Sequence, residues 1–148
     1  MKSDIIYEKS IETLCEWVQN RGHEVRFQKE LGDQLSYEDK IIFINTRQGM
    51  ENQLYSLLHE CGHLLVYLSH NGFERDHPMY AYKATKRQEK TKKCKVSVIG
   101  EEYEAWKRGR KLAKRLDIEV NKDKFDLAMT KALMSYFKWA ANNAYYSI

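Results

Sequence analysis

His59-Glu60-Cys61-Gly62-His63 sets two imidazoles four residues apart with a carboxylic acid beside the first. On an α-helix, residues i and i+4 lie one turn apart on the same face, so both rings can close on one metal ion from one side. Glu60 projects about 100° round the helix from His59, beside such an ion rather than at it. A carboxylate placed there can take a proton from a metal-bound water. The chemistry that suits this pattern is hydrolysis, with Glu60 as general base on zinc-bound water. The rival reading is two ordinary histidines at the edge of a core.

The flanking residues supply the helix that the pattern needs. Between Leu54 and Ser69, the residues Leu54, Leu57, Leu58, Cys61, Leu64, Leu65 and Leu68 recur at three- and four-residue steps. They form one apolar stripe, and His59 and His63 border it, facing a cleft. Gly62 costs about 1 kcal/mol against alanine in a helix interior. Close approach of another backbone would account for it.

A catalytic zinc site needs a third protein ligand, with water in the fourth position. The metzincin continuation would put Gly and His where Val66 and Ser69 stand, which excludes that class. His70 and His77 are further nitrogen donors. His70 sits too far along the axis to share the ion, and capping the last carbonyls suits it better. The preferred third ligand is Glu102, on the inward Trp106–Gly109–Ala113 side of a helix predicted over Glu101–Leu116. Glu101 is the fallback, and Glu104 projects furthest from that side. The competing view is that these acids merely favour a helix N-terminus, as Lys107, Arg108 and the later basic residues favour its end. Gly109 and Gly62 are placed to let the two helices cross closely.

The remaining totals narrow the class. At 148 residues and 43% hydrophobic content, the chain suits one domain with one core. No apolar run approaches the ~20 residues of a membrane span, and the first residues lack a signal-peptide core, so the expected compartment is the cytoplasm. Cys15, Cys61 and Cys94 have no C-x-x-C partner and read as reduced thiols. Net charge is +4, with seven basic residues and one acid, Glu89, between Lys83 and Lys95. That run is either a solvated loop or a contact for nucleic acid or an acidic protein. No nucleic-acid-binding motif accompanies it.

Taken in order, the chain predicts a helix over residues 4–20 with Tyr7, Ile11, Leu14, Cys15 and Val18 inward and Gly22 just past its end. Strands follow at Glu24–Gln28, Leu35–Tyr37 and Ile41–Ile44, the last the strongest. An antiparallel meander is the simplest arrangement, with Ile41–Ile44 as an edge that an extended substrate could join. Thr46 or Asn52 caps the metal helix, which ends near His70–Gly72. Residues 73–96 read as a flexible basic loop or lid. A last helix over residues 122–144, capped by Asn121, turns Phe125, Ala128, Met129, Ala132, Leu133, Tyr136, Phe137 and Ala140 inward. The predicted fold is α+β: a small antiparallel three-stranded sheet packed on the H-E-x-x-H helix, with one helix before it and two after.

A strand, an H-E-x-x-H helix and a glutamate on a following helix resemble the gluzincin type of zinc metallopeptidase. HECGHLL followed by EEYEAW, with the leading helix and three strands, resembles a minimal ImmA/IrrE-like peptidase domain. Glu102 and Ala105 match that family's second motif; Trp106 departs from the small acid or amide that follows there. The resemblance covers roughly residues 1–116 and leaves the last helix unassigned. It implies a single zincin-like domain over 1–148, Zn²⁺ held by His59, His63 and Glu102, and a peptide or protein substrate. His77, Tyr80 and Tyr103 are candidate oxyanion donors. The alternative is a catalytically silent, metal-stabilised module that binds nucleic acid or an acidic protein through residues 83–95.

Overall fold

A computed structural model of the chain describes residues 2–69, 87 and 91–145. The elements run α1 (Lys2–Gln19), β1 (Glu24–Gln28), β2 (Gln34–Ser36), β3 (Ile41–Asn45), α2 (Met50–Leu68), α3 (Lys92–Arg115) and α4 (Lys122–Tyr145). The fold is α+β, with the expected leading helix, sheet, H-E-x-x-H helix and two later helices. Among the described residues no helix is long and apolar enough to cross a membrane.

The sheet is mixed, not an antiparallel meander. Its order is β1-β3-β2, with β1 parallel and β2 antiparallel to β3. Ile41–Ile44 is therefore the central strand and not an edge. The physical reason is its composition: Ile42 and Ile44 are fully buried, whereas β1 and β2 carry the polar residues that edge strands tolerate. The β1–β2 connection is tied across the end of β3. Asn45 Nδ2 donates to the Leu31 carbonyl at 2.7 Å, and its backbone N–H donates to Asp33 Oδ1 at 2.7 Å.

Ile11, Leu14, Trp17 and Val18 of α1 share a core with Ile42 and Ile44, with Leu54, Leu57, Leu58, Cys61 and Leu64 of α2, and with Trp106, Leu112 and Phe125. Gly22 closes the α1 turn at φ +76°. Gly49 is the N-cap of helix α2 and no side chain caps it, so neither Thr46 nor Asn52 serves. Thr46 is instead held by the Gln28 carbonyl, at 2.9 Å from its backbone N–H.

Helix α3 packs most extensively on α2, and two glycines set the distance. A Cβ built on Gly62 would overlap the Ala105 carbonyl, and one on Gly109 would overlap that of Leu58. Both are backbone collisions, so no side-chain adjustment relieves them. Helix α3 begins nine residues before the predicted Glu101, at Lys92. Thr91 caps it, its hydroxyl accepting from the Cys94 N–H at 3.1 Å. Glu101, Glu102 and Glu104 are therefore mid-helix residues, and the helix-dipole account of them fails. Residues 92–96 of the expected 73–96 loop belong to this helix, Lys92, Lys93 and Lys95 among them; the rest of that loop, apart from Arg87 and Thr91, lies outside the described residues.

Asn121 caps α4 as expected, accepting from the Lys124 N–H at 3.1 Å. Phe125 is fully buried, edge-on to Tyr55 and Trp106 at 5.6 and 5.4 Å. Of the expected inward stripe Phe137 departs, at 49% exposed, while Tyr136 and Ala140 are half-buried.

Glu51 joins three helices. It accepts from Tyr7 of α1 at 2.6 Å, from Tyr55 of α2 at 3.0 Å and from Lys124 of α4 at 3.1 Å. Burial raises its pKa, but these donors outweigh burial and hold it below the ordinary 4.5. A depressed folded pKa stabilises the fold above the unfolded value, and that stability is lost as pH falls through the folded one. Glu51→Gln is therefore expected to cost about 2 kcal/mol at neutral pH. The gap to wild type should close as pH falls below 4.5. Urea unfolding across that range checks this; a gap independent of pH would show that Glu51 acts without its charge.

Candidate metal centre

The close crossing of α2 and α3 sets His59 and His63 against Glu102. His59 Nε2 lies 2.9 Å from Glu102 Oε2, the two Nε2 atoms lie 3.0 Å apart, and His63 Nε2 lies 3.3 Å from the same oxygen. These three residues form a group within metal-binding distance of one another. A tetrahedral ion with arms of about 2.0 Å would need edges of about 3.3 Å, close to these separations.

Tautomers sharpen the point. His63 Nδ1–H donates to Glu101 Oε1 at 2.5 Å. A neutral His63 then turns its Nε2 lone pair towards His59 Nε2 and both oxygens of Glu102, at 3.2 and 3.3 Å. A proton on His59 Nε2 or a metal ion between the groups would satisfy the facing His63 Nε2 and Glu102 oxygens. Two imidazoles and one carboxylate are a set that suits a divalent ion of the zinc kind, and a fourth position remains for water or substrate.

Charge follows the same geometry. Burial lowers the His63 pKa, but its contacts with Glu101 and Glu102 raise it further, and the result lies well above the ordinary value. Burial raises the Glu102 pKa, and the two imidazoles overcome this and hold its carboxyl far below the usual range. Glu60 is 5% exposed; burial pushes its pKa up, only partly offset by His59 and His63.

Glu101, the fallback ligand, is instead the partner of His63 through the ring nitrogen facing away from the other donors. Such an outer contact fixes tautomer and ring orientation. Trp106, where the peptidase motif has a small acid or amide, stacks flat on His59 at 4.2 Å and 9°. One histidine is thus oriented by a carboxyl group and the other by an indole.

The structure also brings in Tyr136, whose hydroxyl donates to Glu102 Oε1 at 3.0 Å. The sequence marked it only as part of an inward stripe. Tyr103 points elsewhere: it is 46% exposed, with the Lys107 ammonium 4.7 Å from its ring. His70, His77 and Tyr80 lie outside the described residues. In front of His59 opens a cleft of about 680 Å³, lined by Asp33, Ser56, Trp106, Lys131 and Tyr136 among others. Asp33, in its lining, immediately precedes β2, an outer strand of the sheet.

Comparison of the chain with protein-family models, curated proteins and solved structures finds no match.

Proposed function

We propose that the protein is a zinc-dependent peptidase of the gluzincin type, resembling the ImmA/IrrE-like domains. The observation that carries this reading is the convergence of His59, His63 and Glu102 from two helices onto one point beside an open cleft. A divalent cation held there supplies Lewis acidity, lowering the pKa of water from 15.7 towards about 7 and polarising a carbonyl.

The chain's own residues do the rest. Glu60 stands one residue along α2 from His59, and its raised pKa makes it a better proton acceptor than an exposed glutamate. It takes a proton from the attacking water and gives it to the departing amine. Glu101 and Trp106 hold the two imidazoles in place. An extended peptide in the cleft would pair with β2, an outer strand of the sheet among the described residues, in place of the central β3.

The test is cleavage of an unfolded protein by purified protein of known zinc content. Cleavage lost with 1,10-phenanthroline and restored by one equivalent of Zn²⁺ is the expected result. A full zinc complement with the substrate left intact would overturn the peptidase reading and leave a metal-stabilised binding module.

A further inference from the structure

Helix α4 lies beyond the part of the chain that resembles a peptidase, yet it reaches the metal centre. Phe125 anchors it in the core against Tyr55 and Trp106. Arg110 of α3 holds Asp126 at 2.9 Å. Tyr136 follows Phe125 by eleven residues, about three helical turns, and so returns to the same face some 16 Å further along. There its half-buried ring lines the cleft and its hydroxyl meets Glu102.

We propose that Tyr136 is a positioning residue of the metal centre: its hydroxyl occupies Glu102 Oε1 and leaves Oε2, the oxygen nearest His59, to the cation. The two oxygens differ in their contacts. Oε1 accepts from Tyr136 at 3.0 Å and lies 3.2 Å from His63 Nε2, while Oε2 faces both imidazoles, 2.9 Å from His59 Nε2 and 3.3 Å from His63 Nε2. A carboxylate can bind a cation through one oxygen or two. A donor fixed on one oxygen favours the first mode and stops the group rotating about its last bond. Among the described residues Tyr136 is the one side chain other than the two imidazoles that hydrogen-bonds Glu102. Its remaining partners, His59 and His63, are themselves the other candidate ligands. The last helix is thus part of the site and not only packing.

This inference rests on the metal-centre reading and is independent of whether the protein cleaves peptides. Tyr136→Phe removes one oxygen and keeps the ring, so thermal melting should stay close to wild type. Zinc and cobalt affinities are measured by competition with a chromophoric chelator, and the visible spectrum of the cobalt-loaded protein is recorded. Loss of such an outer contact weakens metal binding about 10- to 100-fold. The variant should still take one equivalent, with weaker cobalt absorption as the freed carboxylate adds its second oxygen. Equal affinity and an unchanged cobalt spectrum in Tyr136→Phe would overturn the role of Tyr136 and leave the metal centre standing. A wild-type protein that takes up neither zinc nor cobalt would overturn the metal centre itself, and with it this inference.

Discussion

Glu60→Gln is expected to leave one equivalent of zinc in place while cutting kcat by about 10³-fold, within the range that a positioned general base supplies. Glutamine has the same shape but cannot accept a proton. Metal retention follows from geometry. The convergent group is His59, His63 and Glu102, and Glu60 is not part of it. Fold retention follows from burial. A group at 5% exposure whose ionised form is disfavoured by desolvation loses nothing when replaced by a neutral isostere. The measurement pairs zinc analysis with single-turnover cleavage under excess enzyme. A variant that holds zinc and cleaves at the wild-type rate would remove Glu60 from the chemistry. A variant that loses its zinc would instead place Glu60 among the ligands.

How much of this was legible beforehand depended on whether a feature is written locally. Helix α2 was, because seven apolar residues mark one stripe and the histidines border it. The crossing partner was too: two glycines spaced into facing stripes predicted close backbone contact, and each meets the other helix's carbonyl. The start of α3 was not, because Lys92, Lys93 and Lys95 disguised a buried series at Cys94, Val98, Glu101 and Ala105. A threonine three residues before Cys94 was the available signal for its cap. Sheet order was misread because adjacency in sequence favoured a meander, whereas β3 took the centre by burying its isoleucines. The roles of Glu101 and Tyr136 depend on contacts across 38 and 34 residues, which no local spacing encodes.

The second large effect is expected at His63. Its replacement should abolish zinc binding and also destabilise the metal-free fold, because of what it leaves behind. Glu101 is 1% exposed, and its Oε2 has no hydrogen-bond partner among the described residues. His63 is the side chain that holds its other oxygen. In His63→Leu the buried carboxyl group loses that donor, and breaking such a pair costs about 3–5 kcal/mol. At roughly 2–4 °C per kcal/mol for a chain of this size, the melting temperature should fall by about 10 °C. His59→Leu makes a contrast. His59 has the more exposed side chain, 16% against 7%, and no buried carboxyl group depends on it alone. It should lose zinc with a smaller drop in melting temperature. The double variant His63→Leu/Glu101→Leu removes donor and acceptor together and should recover most of the lost stability but none of the zinc, since matched apolar replacement of a buried pair is often neutral. Thermal melts of the metal-free proteins, with zinc analysis of each, separate the two contributions. If His63→Leu melts with wild type, the Glu101 contact adds nothing to the fold. If it still holds an equivalent of zinc, the ion is not bound where the two helices cross.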